Sequence, residues 1–411
     1  MRFNTALLHG DFRGDKKTGA TQTPVYQSSA FEHASAETLE KIFNNKAPGF
    51  SYSRIGNPTV DAFERRMTAL EGGIASVSCA SGMAAITNAF TNILRSGDEI
   101  ICSASLYGGS IDLFRDLENF GIKTHYVENN NIEQFEAATN DNTRLYFAET
   151  IGNPRLDVTD IKLLSEAAHN AGVPLIIDNT VATAYLIKPI EYGADIVVNS
   201  TSKYVNGNSN SISGVITDSG NFKWDSVKYP GMKEYAKFGP YAYTAKLRNG
   251  IYRNTGACLS PQNAFYNILG IETLGLRMER ITDNALKLAE YLDTNYSFLN
   301  VNYPGLKSSE FHAIADKELN NGYGGIITIR TGSKENAFKF INALKLPLNV
   351  SNIGDTKTLV IHPGSTISAH STEEEKKIAG VFDDLVRISV GIEDIEDLIE
   401  DFTQAVEFIQ Q

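Results

Sequence analysis

The chain has 411 residues, enough for one large domain and a second, smaller one. With 42% hydrophobic and 21% charged residues it has a globular composition, and a formal net charge of −12 argues against non-specific nucleic-acid binding while leaving room for a local basic pocket. Three cysteines (Cys79, Cys102, Cys258) make no disulfide framework and suit the cytoplasm, no signal-peptide core or membrane-spanning apolar run is found, and no CxxC or HExxH offers a metal site.

Residues 1–56 carry scattered Gly and Pro, with aromatics at Tyr26, Phe31, Phe50 and Tyr52. They are expected to form an irregular arm that wraps its own domain or reaches a partner subunit. A helix starts at Asn57-Pro58: Asn can cap it, Pro fits its first turn, and Val60, Phe63, Met67 and Leu70 recur at helical spacing until Gly72-Gly73 ends it. Strands are predicted at 75–79, 99–103, 122–127, 144–149, 174–178 and 195–199, with helices at 82–94, 109–119, 132–138 and 160–171 between most of them. Several strand cores are short apolar runs, as in a mostly parallel sheet covered on both faces. Ser81, Glu149, Asp178 and Ser200 stand at the carboxyl ends of strands, where open α/β sheets bind ligands.

Beyond residue 220 the alternation stops. Residues 221–256 are expected to be loops with short elements. Ser260-Pro261 opens one long helix, with Phe265, Leu269, Leu276, Ile281, Ala285, Leu288 and Leu292 on or near one face. Strands near 325–330 and 385–390 and a helix near 395–409 complete a smaller α+β domain. The division is therefore 1–56, 57–258 and 259–411.

Three features could carry chemistry. At Ser81-Gly82-Met83 a strand turns into a helix whose first amides could hold a phosphate. Asp178 could pair with a protonated ring nitrogen. Lys203, between Ser202 and Tyr204 and close to Ser200, could hold a carbonyl cofactor beside a phosphate cup. Each alone has a plainer explanation: a packing turn, an Asx turn, a solvated lysine. Together they supply a cup, a ring partner and an amine at neighbouring strand ends.

Longer motifs carry a resemblance. They are Tyr52-Ser53-Arg54-Ile55-Gly56-Asn57-Pro58-Thr59, Ser81-Gly82-Met83-Ala84-Ala85, Tyr107-Gly108-Gly109, Glu149-Thr150-Ile151-Gly152-Asn153-Pro154, Asp178-Asn179-Thr180, Ser200-Thr201-Ser202-Lys203-Tyr204, His362-Pro363-Gly364-Ser365-Thr366 and Arg387-Ile388-Ser389-Val390-Gly391-Ile392-Glu393. On these the chain resembles the Cys/Met-metabolism enzymes that use pyridoxal 5'-phosphate (PLP), from about residue 5 to residue 408. The resemblance implies the PLP-dependent transferase fold type I (aspartate-aminotransferase-like): a mostly parallel central sheet with a smaller α+β C-terminal domain. It implies that Lys203 binds PLP covalently and later moves protons, and that Asp178 pairs with the ring nitrogen. Tyr107 would stack on the ring, and Gly82, Met83, Ser200 and Ser202 would hold the phosphate. Tyr52 and Arg54 would reach the neighbouring subunit's phosphate, so that two chains complete each site. Arg387 would clamp the substrate carboxylate, its alternative being a surface ion pair with Asp383 or Asp384. Asn153 and Ser365 would sit beside cofactor or substrate.

Within that family, residues 206–214, 222–261 and 352–363 look like the sulfhydrylases acting on O-acetyl-L-homoserine. That implies replacement of acetate by sulfide, or by methanethiol, with Tyr107 or Tyr52 as acid and Tyr52 also near the substrate. The expected assembly is a homotetramer of site-sharing dimers, with no nucleic acid, membrane or metal involved. Asn208, Ser368 and Ala184 depart from the usual pattern and bear on substrate preference. Gly109 stands where methionine γ-lyases carry a cysteine. Other readings are methionine γ-lyase, cystathionine γ-synthase and O-succinylhomoserine sulfhydrylase. A nucleotide-binding oxidoreductase lacks its GxGxxG after the first strand. A non-catalytic relative would be expected to lack Lys203 or Asp178.

Overall fold

The computed structural model describes residues 1–10, 14–15 and 18–410. Seven strands form the large sheet: β1 (Ala75–Cys79), β2 (Glu99–Ser103), β3 (Lys123–Val127), β4 (Thr143–Glu149), β5 (Leu175–Asp178), β6 (Ile196–Asn199) and β7 (Gly214–Asp218). Their spatial order is β1-β7-β6-β5-β4-β2-β3. Six lie where the apolar runs predict them. The seventh, β7, was not predicted, because it follows β6 without an intervening helix and falls outside the strand–helix alternation. It pairs antiparallel with both β1 and β6, while the remaining neighbours are parallel. The two reversals leave β1 running in the same sense as β6. The carboxyl ends of β1, β2, β4, β5 and β6 therefore share one edge.

Successive side chains on a strand point to opposite faces. Ile101, Tyr146, Ile177, Val197 and Val215 accordingly enter one buried layer. Their neighbours Ile100, Cys102, Phe147, Ile176, Val198 and Ile216 enter the other. This two-sided burial is why the strand cores are apolar runs.

The arm is less irregular than expected. It contains α1 (Phe3–His9) and α2 (Ala36–Phe43). Ser35 caps α2 by accepting from the Thr38 amide, and Glu37 and Lys41 complement its two ends. None of its residues is buried, and Leu39 and Phe43 face outward. The next helix, α3 (Pro58–Glu71), matches its expectation: Asn57 accepts from the Thr59 amide, and Gly72 closes it at φ 76°. Then follow α4 (Gly82–Thr91), α5 (Gly108–Glu118), α6 (Ile132–Ala138) and α7 (Ile161–Asn170).

The predicted long helix is two helices, Pro261–Glu272 and Leu274–Asn295, broken at Thr273 (φ −110°, ψ 5°). The buried positions nevertheless keep one helical phase across the break. Leu269 and Leu276, expected on the core face, are 40% and 63% exposed, and Ala264, Ile268, Ile271 and Leu274 take the buried positions. The second helix joins two cores, with Met278 and Ile281 under the large sheet and Leu288 and Leu292 in the C-terminal core. That core also holds the sheet of β8 (Ile326–Arg330), β9 (Leu348–Asn349), β10 (Leu359–Ile361) and β11 (Leu385–Ser389), in the order β8-β11-β10-β9, and the last helix, Ile395–Gln410. Among the described residues, no helix is long and apolar enough to cross a membrane.

Candidate active site

The shared strand edge opens into a cavity of about 400 Å³. Its wall includes Gly82, Met83, Tyr107, Asn153, Asp178, Ser200, Ser202, Lys203 and Arg387. Nine of the predicted site residues thus converge from six separate stretches of chain.

At one end of the cavity α4 begins. Ser81 caps it by accepting from the Ala84 amide at 3.0 Å, while the first turn of any helix leaves amides free for an anion. A Cβ on Gly82 would lie 2.6 Å from Ser200 Cβ and 2.8 Å from Ser200 Oγ. Glycine therefore lets the two strand ends meet and form a cup. Ser202 borders it, with its hydroxyl held by Ser213 through bonds of 3.0 and 2.8 Å.

Asp178 ends β5, where its Oδ1 accepts from the Thr180 amide at 2.9 Å and the Thr180 hydroxyl at 2.5 Å. Burial raises its pKa to about 6, against those bonds. Glu149 is its register partner on β4, accepts from the Tyr107 amide at 2.5 Å, and is driven far above its ordinary range by burial and by Asp178. Two neighbouring buried carboxyls resist joint ionisation. A cation beside them would relieve that cost, which suits a protonated ring nitrogen.

Lys203 faces the cavity. Burial, and secondarily Arg387, lowers its pKa to about 8, so a reactive neutral fraction is available near neutrality. Its Nζ donates to Asn352 Oδ1. Arg387, on β11, is 3% exposed. It donates to Asn153 Oδ1 at 3.2 Å and to the Asn352 carbonyl at 3.0 Å, while its Nε has no partner among the described residues. Burial lowers its pKa to about 10. The alternative ion pair is not formed: Asp384 bonds Arg330 at 2.9 Å instead. A buried guanidinium that lines the cavity and meets only neutral amide oxygens suits a carboxylate.

Three predicted residues lie elsewhere. Tyr52 is 42% exposed, with the Arg54 guanidinium 5.4 Å from its ring centre, and Arg54 donates to the Arg253 carbonyl at 2.6 Å. Neither belongs to the wall of this chain's cavity. Ser365 is also outside the wall. Its hydroxyl and amide both turn to His362 Nδ1, at 2.8 and 3.1 Å, and Ile367 is the wall residue from that segment. Asn208 turns away too, donating to the Asn206 carbonyl at 3.2 Å. Conversely, Asn352, Ser209 and Thr180 serve the site without having been singled out. Their signal in sequence is only a local wealth of hydroxyls and amides, which does not say which of them faces inward.

The family model for Cys/Met metabolism PLP-dependent enzymes matches residues 4–407. The chain belongs to that family. Its similarity runs the full length. The chain is 43% identical to an O-acetyl-L-homoserine sulfhydrylase of Corynebacterium glutamicum, covering 97% of this chain and 95% of that protein. It is 40% identical to a homocysteine synthase of Schizosaccharomyces pombe, covering 98% of each. A Campylobacter jejuni crystal structure described as an O-acetylhomoserine (thiol)-lyase, with a pyridoxyl-lysine phosphate, superposes with a TM-score of 0.96 at 32% identity over 99% of this chain and 100% of that one. A cystathionine γ-lyase from Lactobacillus plantarum gives 0.88 at 31% identity over the whole of both chains. The fold is thus the type I PLP fold and the cofactor is PLP. The residues present fit that group: the Gly82–Ser200 cup could seat a phosphate, Asp178 could accept a ring N–H, and Lys203 presents an amine.

Proposed function

We propose that this protein is an O-acetyl-L-homoserine sulfhydrylase, which exchanges the substrate's acetate for sulfide and releases L-homocysteine; methanethiol in place of sulfide gives methionine. The observation that carries this reading is full-length similarity at about 40% to relatives bearing that activity.

Bound PLP supplies an electron sink for the charge that develops on the substrate's carbons. Lys203 would hold it, and its free amine would carry protons at the substrate's α- and β-carbons. Asp178, as a carboxylate, would keep the ring nitrogen protonated. The amides of Gly82 and Met83, with Ser200 and Ser202, hold the phosphate. Tyr107 covers the ring. Arg387 takes the substrate's carboxylate where its guanidinium borders the cavity, with Asn153 beside it. Tyr107, or Tyr52 of a neighbouring subunit, protonates the leaving acetate. Tyr52 and Arg54 act on the neighbouring subunit's phosphate, which makes the working unit a dimer and the assembly a homotetramer of two such dimers in the cytoplasm. Residues 1–56 form the arm, 57–258 the cofactor domain and 259–411 the domain carrying Arg387.

One observation bears on the γ-lyase alternative. A Cβ on Gly109 would stand 2.6 Å from the Tyr107 ring and 3.3 Å from the Met83 sulfur, leaving little room for a cysteine there. The test is product analysis with purified enzyme, offering O-acetyl- and O-succinylhomoserine with sulfide, and methionine alone. Homocysteine from the acetyl ester is expected. Release of a keto acid from methionine at comparable efficiency overturns the assignment.

A further inference from the structure

Hydrogen bonds continue past Lys203 in an unbroken line. Lys203 Nζ donates to Asn352 Oδ1, Asn352 Nδ2 donates to Ser209 Oγ at 2.8 Å, and Ser209 Oγ donates to Asp355 Oδ2. The last member sets the direction of every link. A carboxylate only accepts. Asp355 is a carboxylate: burial works to raise its pKa, but bonds from Ser209 and from the Lys357 amide and ammonium, both at 2.9 Å, hold it below its ordinary value. The Ser209 proton therefore goes to Asp355, which leaves the hydroxyl oxygen as an acceptor for Asn352. Asn352 must then turn its NH₂ to Ser209 and its carbonyl to Lys203. Its main chain is held as well, because its backbone carbonyl accepts from Arg387 at 3.0 Å. Ser209 sits at φ +52°, a left-handed conformation uncommon for serine. The loop thus keeps a side chain at a position where glycine would be easier.

We propose that Asn352, oriented by Ser209 and Asp355, is a positioning residue for the Lys203 amine. This rests on the reading that Lys203 gives up the cofactor to the substrate's amine and then moves protons. An amine freed in the cavity can swing; one with an N–H committed to Asn352 Oδ1 cannot. An amide is suited to this task, because it accepts a hydrogen bond without taking the proton, whereas a carboxylate would trap the lysine as an ion pair. Through its own backbone, Asn352 also ties the lysine's resting place to Arg387, the proposed carboxylate clamp. Lysine and substrate are then positioned from one residue.

The test leaves Asn352 in place and alters what orients it, in Ser209→Ala, Ser209→Gly and Asp355→Asn. The first readout needs no turnover: the pH dependence of Lys203 modification by an amine reagent in full-length, cofactor-free protein, followed on the Lys203 peptide by mass spectrometry. A carbonyl acceptor favours the ammonium form, so losing it lowers the lysine's pKa further, by about one unit. Arg387, the other charge acting on Lys203, is unchanged in all three variants. Asp355→Asn keeps size and shape but can donate, which lets the line reverse and turn NH₂ toward the lysine; it is expected to match Ser209→Ala. Ser209→Gly, which removes the hydroxyl and relieves the backbone, is expected to behave like Ser209→Ala. In the holoenzyme, kcat should fall about tenfold with KM for the amino-acid substrate nearly constant, and the limb of the pH profile that reports Lys203 should move with the labelled pKa. An unmoved lysine pKa, recovery in Ser209→Gly, or a loss of activity that only tracks melting temperature and cofactor content overturns the proposal. The labelling result stands apart from the substrate: a shifted pKa in a protein inactive on O-acetylhomoserine would sink the functional reading and keep this one.

Discussion

Among the described residues, Arg387 keeps its charge while bonding only amide and carbonyl oxygens and no carboxylate. Lysine at this position would keep the charge and lose the fork. Arg387→Lys is therefore expected to raise KM for the amino-acid substrate by one to two orders of magnitude, corresponding to ~1.5–3 kcal/mol for a charged hydrogen bond, with a smaller change in kcat. Steady-state kinetics check this; an unchanged KM would remove Arg387 from substrate binding. Glu71, behind the strand ends, makes a different prediction. It is fully buried, and burial raises its pKa to about 7 against bonds from Asn199 and Asn179 at 2.8 and 3.3 Å. Its folded pKa lies above its unfolded one. The stability it contributes is therefore complete below the ordinary carboxylate range, near ~4.3, and is lost as pH rises through about 7. Melting temperature should fall over that window, and Glu71→Gln should flatten the fall. The flattening is partial, because burial raises Asp218 to about 7 with the same sign. A variant curve parallel to the wild type would exonerate Glu71.

At the scale of elements, the junction of β1 with α4 meets the end of β6 so closely that only a glycine fits at residue 82. Gly82→Ala should cost about 1–3 kcal/mol of stability through overpacking and should also loosen the cofactor. Chemical denaturation and the rate of cofactor release read the two effects separately. Unchanged release would reduce Gly82 to a packing residue. The same junction exists because β7 inserts antiparallel between β1 and β6 and returns β1 to the parallel sense. A local pattern of apolar runs announces strands but not their neighbours, so this order was not legible from β1 or β6 alone. The break at Thr273 was hidden for a related reason: both flanking segments are good helices, and the buried positions keep the same spacing on either side of it.

The whole molecule leaves Tyr52 and Arg54 outside the wall of the chain's own cavity, and an amphipathic α2 with no buried face. If they complete a neighbour's site, two inactive proteins should repair one another. Arg54→Ala and Lys203→Ala chains, mixed under conditions that exchange subunits, should regain activity, because a mixed dimer contains one site with both residues intact. No recovery in a mixture shown by mass to contain hybrids would place both residues in their own chain's service. Lys203→Ala alone should fold and oligomerise but lose the visible band of the bound cofactor.

Six of the seven large-sheet strands, the capped α3, and the grouping of Lys203, Asp178 and Ser81-Gly82-Met83 at strand ends were determined by the amino-acid sequence on its own. They depend on nearest-neighbour physics: apolar runs bounded by turns, a side-chain cap, a glycine after a strand. The tertiary structure alone decided that Glu149 adjoins Asp178, that Ser365 turns to His362, and that Asn352 meets both Lys203 and Ser209. Those pairings join residues dozens to more than a hundred positions apart or, for Ser365, choose one of several possible hydroxyl partners. A polar side chain in a loop acquires its direction only when other segments have packed around it and left it one hydrogen bond to make.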